Sequence, residues 1–180
     1  MAETGSLSLT ERDATPADVA ALARLGADSF VETFGHLYSA ENLALFLKNH
    51  SEEAWARDLA DPAYSIRMVE DGDRAIAYAK VTPPNLPFEP DPTRIALELK
   101  QFYVLKPWHG AGLAQRLMDW TIAIARRRGA DDLYLSVFTD NHRARRFYAR
   151  QGFEEVGRWH FMVGDHADED LVVRLRLTPA

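Results

Sequence analysis

Between Arg94 and Gly129 the chain changes its periodicity within a few residues, and this limits the folds open to it more than any other feature. Arg94–Val104 reads as a long strand, and Pro107–Gly110 breaks it. From Gly112 onward apolar residues fall at Leu113, Leu117, Trp120 and Ile124, the i, i+4, i+7, i+11 rhythm of an amphipathic helix. Arg126, Arg127 and Arg128 occupy its last turn and Gly129 supplies a C-terminal stop. The turn between strand and helix holds Gly110 and Gly112, so backbone amides there can approach a ligand closely. It opens directly into a helix N-terminus, where unpaired N–H groups and the helix dipole favour a phosphate. Two glycines before a helix equally mark a plain tight turn. The segment is neither a P-loop, since GxxxxGK[ST] is absent, nor a dinucleotide fingerprint, since GxGxxG is incomplete and follows the fourth strand candidate rather than the first.

Elsewhere strands and helices alternate. Leu7–Arg12 reads as a first strand. Thr15, Pro16 and Asp18 start a helix that runs to about Phe34, with an interruption expected near Gly26. Ala40–Leu47 and Ser51–Leu59 are two further short helices. Tyr64–Glu70 and Arg74–Thr82 are strands joined by the turn signal Asp71-Gly72-Asp73. The prolines at 83, 84, 87, 90 and 92 mark a loop. Asp132–Phe138 is a strand, Asn141–Gln151 a helix ended by Gly152, and Phe153–Val163 and Leu171–Leu177 the last two strands. The pattern is one mixed α/β domain over residues 1–180 with a mostly antiparallel sheet, residues 1–92 forming one half and 93–180 the other.

Composition excludes several classes. With no cysteine among 180 residues, disulfides, thiolate metal sites and a cysteine nucleophile are out, and no HExxH-like spacing suggests a metal. The net charge of −6 disfavours a nucleic-acid surface. No run approaches about 18 apolar residues, so no membrane span is expected, and the polar Met1–Ser6 lacks the features of a signal peptide, so the expected location is cytoplasmic. Charge is divided along the chain. Lys106–Arg158 holds 10 basic and 6 acidic side chains, whereas the remainder holds 11 basic and 21 acidic. The first part suits an anion and the second a cation, although surface charge also serves solubility alone.

The helix at Asn141–Gln151 places Asn141 and Tyr148 seven residues apart, about two turns, so both project from one face. Here the chain resembles the GNAT (GCN5-related) N-acetyltransferases. His109-Gly110-Ala111-Gly112-Leu113-Ala114 matches the [QR]xxGx[GA] pyrophosphate loop of that family, with His109 replacing Gln or Arg and Ala114 taking the small-residue alternative. Asn141, Ala144, Phe147, Tyr148, Gly152 and Phe153 meet the NxxAxxFYxxxGF pattern, and Ala77 stands where a glycine is common. A looser likeness, through Phe30, Glu32, Thr33, Phe34, Tyr78-Ala79-Lys80 and Phe161–Asp165, is to the PaiA-type polyamine acetyltransferases.

The resemblance implies a twisted, mostly antiparallel sheet of about seven strands flanked by about four helices, and acetyl-CoA as cosubstrate. It implies that amides from Gly110 through Ala111, Gly112, Leu113 and Ala114 to Gln115 hold the diphosphate, with His109 donating a hydrogen bond. The pantetheine arm would pair with Phe102, Tyr103 and Val104, and the basic residues Lys106, Arg116 and Arg143 would be candidates for the 3′-phosphate. Asn141 would line the same groove. Tyr148, a phenol with an ordinary pKa of about 10, would protonate the leaving thiolate, and Val104 N–H would polarise the carbonyl. Glu98 is the expected base, with His160 as an alternative. Glu32, Phe34 and His160 would meet the substrate, and Glu41, Asp165 and Asp168 are further acids suited to a cationic amine such as spermidine or spermine. A peptide N-terminus or lysine, or a non-catalytic acyl-CoA-binding role, are the competing expectations. Dimers are frequent in the family.

Overall fold

A computed structural model describes residues 8–87 and 89–179; the Met1–Ser6 segment and Leu7, the first residue of the expected first strand, lie outside these. Seven strands form one sheet in the order β1-β2-β3-β4-β5-β7-β6. They are β1 (Leu9–Asp13), β2 (Ser65–Asp71), β3 (Arg74–Thr82), β4 (Ala96–Val104), β5 (Asp132–Phe138), β6 (Glu154–Val163) and β7 (His166–Arg176). Among the described residues five α-helices flank it: α1 (Val19–Phe34), α2 (Ala40–Leu47), α3 (Glu52–Ala60), α4 (Leu113–Arg127) and α5 (His142–Arg150). Among the described residues no helix is long and apolar enough to cross a membrane.

Every neighbouring pair of strands is antiparallel except β4 and β5, which run parallel. Their ladder is short. It joins Ala96, Leu97 and Glu98 to Asp132, Leu133 and Tyr134, and beyond Glu98 the two strands diverge. The closed end is pinned by Arg94, whose Nε and Nη2 donate to the two carboxylate oxygens of buried Asp132 at 2.7 and 2.9 Å. A bidentate guanidinium–carboxylate pair fixes direction as well as distance.

Between β3 and β4 the register slips, Lys80 pairing with Gln101 and Val81 with Leu99, so Lys100 is an extra residue on β4. Partners across an antiparallel pair share a face. Ala77, Ala79 and Val81 therefore face the same way as Val104, Phe102 and Leu99, toward a core that includes Leu113, Leu117 and Met118 of α4. Tyr78, Lys80 and Thr82 face the other way with Tyr103, Gln101 and Glu98, where Leu22 and Leu25 of α1 and Trp55 of α3 pack against Tyr78.

Helix starts follow local chemistry. The hydroxyls of Ser39 and Ser51 accept the Asn42 and Ala54 amides at 3.2 Å. Helix α1 is unbroken through Gly26, contrary to expectation. A Cβ there would lie 2.4 Å from His50 Nδ1 and 3.2 Å from the Trp55 ring, so the glycine is a seat for the His50 segment rather than a break. Strand β7 begins five residues earlier than Leu171, taking in His166-Ala167-Asp168-Glu169-Asp170 as the partner of β6. Leu117 of α4 is wholly buried against the sheet. Leu117→Ala is expected to lower the unfolding free energy by about 3 kcal/mol, read from urea denaturation.

Candidate active site

Where β4 and β5 separate, the structure has a cleft of about 850 Å³ running from the start of α4 past α5 to β7. Its first wall is the glycine turn. Gly110 and Gly112 have φ of 85° and 78°, and no atom lies within 4 Å of a Cβ added to either, so backbone conformation alone calls for glycine there. The first backbone bond of α4 runs from Arg116 N–H to Gly112 O at 3.2 Å, so the amides of Leu113, Ala114 and Gln115 precede the helical ladder. Gly110, Gly112, Leu113, Ala114 and Gln115 all line the cleft. Ala111 does not; its N–H donates to Trp108 O.

The second wall is the free side of β4. Leu105 N–H donates to Ile76 O on β3 at 3.0 Å. Peptide groups alternate sides along a strand, so Tyr103 and Leu105 turn theirs to β3 while Phe102 and Val104 turn theirs to the gap. Of the three expected backbone partners, Phe102 and Val104 are thus aimed at the cleft, and Tyr103 offers its phenol instead. This unpaired strand side next to an amide cradle fits an extended chain of amides ending in a diphosphate.

His109 is not turned to the amide cradle. Its Nε2 lies 2.7 Å from Val104 O and its Nδ1 meets Arg143 Nη1. Arg143 can only donate, so Nδ1 accepts and Nε2 carries the proton given to Val104. Of the three basic candidates for the 3′-phosphate, only Arg143 lines the cleft. Lys106 is held by Glu32, its N–H donating to Glu32 Oε2 at 3.0 Å and its Nζ to Glu32 O at 2.9 Å, and Arg116 is paired to Glu11 at 3.0 Å.

Tyr148 projects from α5 into the cleft, 8 % exposed, its ring edge-on to Phe102, Phe147 and Phe153 at 5.6–6.2 Å. Burial, with a smaller contribution from Tyr103, pushes its pKa well above the ordinary phenol range, so it stays protonated at neutral pH. Asn141 caps α5, its Oδ1 accepting Ala144 N–H at 3.2 Å, and lines the same cleft.

The far end is aromatic and acidic. Phe30, Phe34, Tyr38, Phe46 and Phe161 line it, with Phe30 stacked on Phe46 at 4.0 Å between ring centres. His50 is buried there; burial, and then Lys80, lower its pKa to about 4, so the imidazole is neutral. Buried Lys80 is paired to Asp58 and lies 3.8 Å from the Trp55 ring centre. On β7, Asp168 and Asp170 are each 6 % exposed and both line the cleft. Asp168 accepts the Tyr38 hydroxyl and lies 3.1 Å from His166 Nε2. Burial, opposed by a hydrogen bond from Ser136 and aided by the charge of Asp168, raises Asp170 to about 6.

Of the residues expected at the acceptor end, Phe34 and Asp168 are in the cleft. Glu98, Glu32, His160, Glu41 and Asp165 do not line it. Glu98 is buried, accepts Asn85 N–H at 2.7 Å and lies 3.5 Å from Lys100 Nζ, because the proline loop folds back over it. Glu32 is spent on Lys106, and exposed His160 lies on the face of β6 opposite Phe161, since neighbours along a strand point oppositely. Asp165 accepts the Asn42 side-chain amide at 2.6 Å, and Glu41 is exposed in the first turn of α2. Sequence reasoning missed Tyr38, Asp58, Ser136 and Asp170. The period-2 spacing of Asp168 and Asp170 was the signal available for the last.

Comparisons agree with this geometry. The family model described as acetyltransferase (GNAT) family matches residues 24–153. An uncharacterized N-acetyltransferase of Mycobacterium tuberculosis is 32% identical over 157 residues, 87% of this chain and 96% of that protein. The crystal structure of a PaiA N-acetyltransferase from Thermoplasma acidophilum, in complex with coenzyme A, superposes with a TM-score of 0.75 at 15% identity, covering 94% of this chain and 99% of that one. The ribosomal-protein-S18-alanine N-acetyltransferase from Escherichia coli gives 0.65 at 18% identity, covering 96% of each chain. With the glycine turn, the divided β4–β5 pair and Tyr148 in one cleft, and with this family match across most of its length, the chain belongs to the acetyltransferase (GNAT) family and is an acyltransferase that uses acetyl-CoA.

Proposed function

We propose that this protein transfers the acetyl group of acetyl-CoA to a primary amine on a small cationic molecule of the spermidine or spermine class. One observation carries this reading: a single cleft runs from the amides at the start of α4, past Tyr148, to the buried carboxylates Asp168 and Asp170. Bound acetyl-CoA supplies an activated acyl carbon. The amides of Gly112, Leu113, Ala114 and Gln115 hold the diphosphate, Arg143 stands by as a cation, and the exposed side of β4 at Phe102 and Val104 orients the amide arm. Val104 N–H, turned to the gap, donates to the acyl oxygen as charge develops on it. Tyr148 holds a proton at Oη and gives it to the departing sulfur.

At the other end, Asp168 attracts an ammonium group, and the aromatic side chains of Phe30, Phe34 and Phe161 exclude water around its aliphatic stem. The surplus of acidic side chains outside Lys106–Arg158 supports a cationic acceptor. A peptide N-terminus is the second reading, favoured by the likeness to the Escherichia coli alanine N-acetyltransferase.

An acetyl-transfer screen over polyamines, amino acids and peptides is expected to give its highest kcat/KM with a polyamine; preference for a peptide would favour the second reading. An L-residue at a φ near 78° costs about 1–2 kcal/mol, so Gly112→Ala is expected to weaken coenzyme A binding about tenfold in a calorimetric titration. Tyr148→Phe is expected to lower kcat about 100-fold with little change in KM for acetyl-CoA. Because burial raises the phenol, wild-type kcat should show no alkaline fall from Tyr148 up to about pH 10.

A further inference from the structure

With Glu98 and Glu32 bound to other groups and His160 turned to solvent, the cleft needs another group to take the proton from an amine that arrives as an ammonium ion. We propose that Asp170 on β7 is that base, and that Asp168 is its neighbour whose oxygens are already engaged by Tyr38 and His166. The assignment rests on the amine-acetylating function proposed above.

The geometry separates two carboxylates that the sequence makes look alike. Both lie on one face of β7, two residues apart, equally buried and in the same cleft. Asp168 has its oxygens taken, one by the Tyr38 hydroxyl and the other by His166 Nε2 at 3.1 Å. Asp170 has the hydroxyl of Ser136, across the β5–β7 pair, as its hydrogen-bonding neighbour. Among the described residues the groups around it include Asp168 on its own strand, the phenols of Tyr38 and Tyr103, Phe138 in register on β5 and Trp159 in register on β6. Of the other cations lining the cleft, Lys80 is bound to Asp58, Lys100 lies near Glu98, Arg143 meets His109, and Arg150 is exposed at the end of α5. His50 is neutral at physiological pH. Among the described residues no ion pair joins a cation to Asp170. Of the two carboxylates, the one whose oxygens are not taken by Tyr38 and His166 is the one free to accept a proton. Asp170, raised to about 6 chiefly by burial, can take a proton near neutral pH and return it to solvent.

The protons balance. An N–H bond of the ammonium breaks, its electron pair stays on nitrogen, and the proton passes to an Asp170 carboxylate oxygen. Nitrogen then bonds to the acyl carbon as the carbon–sulfur bond breaks with its pair on sulfur. Tyr148 gives sulfur its proton and recovers one, through solvent, from the nitrogen. The net release is one proton, lost from Asp170.

The test compares wild type, Asp170→Asn and Ser136→Ala, with acetyl-CoA saturating and the best amine from the screen, across pH 5–9. Wild-type kcat/KM is expected to rise with pH through an inflection near 6, because the deprotonated carboxylate is the active form. Asp170→Asn should lose about 100-fold or more in kcat and lose the inflection, while binding coenzyme A like wild type, which also reports that it folds. Removing the Ser136 hydroxyl, which lowers the Asp170 pKa, should leave turnover in place and move the inflection upward. If Asp170→Asn retains both rate and inflection, or if Ser136→Ala turns over with the inflection unmoved, the assignment of the base is overturned while amine acetylation stands. If the wild type acetylates no amine, the functional reading itself is overturned, and this assignment with it.

Discussion

The parallel pairing of β4 with β5 stops after three residue pairs, and the site depends on that stop. Below it, Arg94 clasps Asp132 with two hydrogen bonds, and the amides of Asp131 and Asp132 donate to Ile95 O. Above it, β5 stays bound to β7 along its whole length while β4 stays bound to β3. The two halves of the sheet thus diverge as intact units, and neither has to give up its own hydrogen bonds to open the gap. What remains is a row of backbone groups on β4 that no neighbouring strand satisfies, which a ligand built of amides can complete.

Everything chemical is arranged around this opening. The start of α4 lies at one mouth because its apolar stripe of Leu113, Leu117 and Met118 is buried against the sheet. Helix α5 reaches the middle, where Phe102 packs against both Phe147 and Tyr148. The acceptor end is closed by segments from the first half of the chain. Tyr38 bonds to Asp168, and Asn42 bonds to Asp165 beside Gly164, whose missing side chain leaves room for Asn42. The segment between α1 and α2 is thus attached to β7 through Tyr38 and Asp168, which also line the pocket.

Much of this was legible in the sequence, and the divide between what was and was not is physical. Periodicity exposed α4 and its glycine turn because one face of that helix is buried and the other wet. Tyr148 and Asn141 were legible because their positions are set by a single helix. The acidic run His166–Asp170 hid its strand, since its charged residues mask the alternation of Ala167 and Glu169 with buried Asp168 and Asp170. Glu98, Glu32 and His160 looked equally available because nothing local announces that Asn85 N–H, the Lys106 backbone or plain solvent will claim a side chain. Gly26 read as a break because its packing partner, His50, is 24 residues distant in the chain.

The extra residue at Lys100 has a bearing on how such a chain can change. On either side of it β4 keeps its alternation, but the two stretches are out of phase, so Leu99 and Phe102 share a face although three residues apart. A one-residue deletion at Lys100 would restore regular alternation and leave the pairs on either side as they are, Gln101 with Lys80 and Leu99 with Val81. Tyr103 would stay opposite Tyr78, and the peptide groups that open to the gap would keep their direction. A change of length by one residue can therefore be absorbed at this point of β4 without turning the strand over.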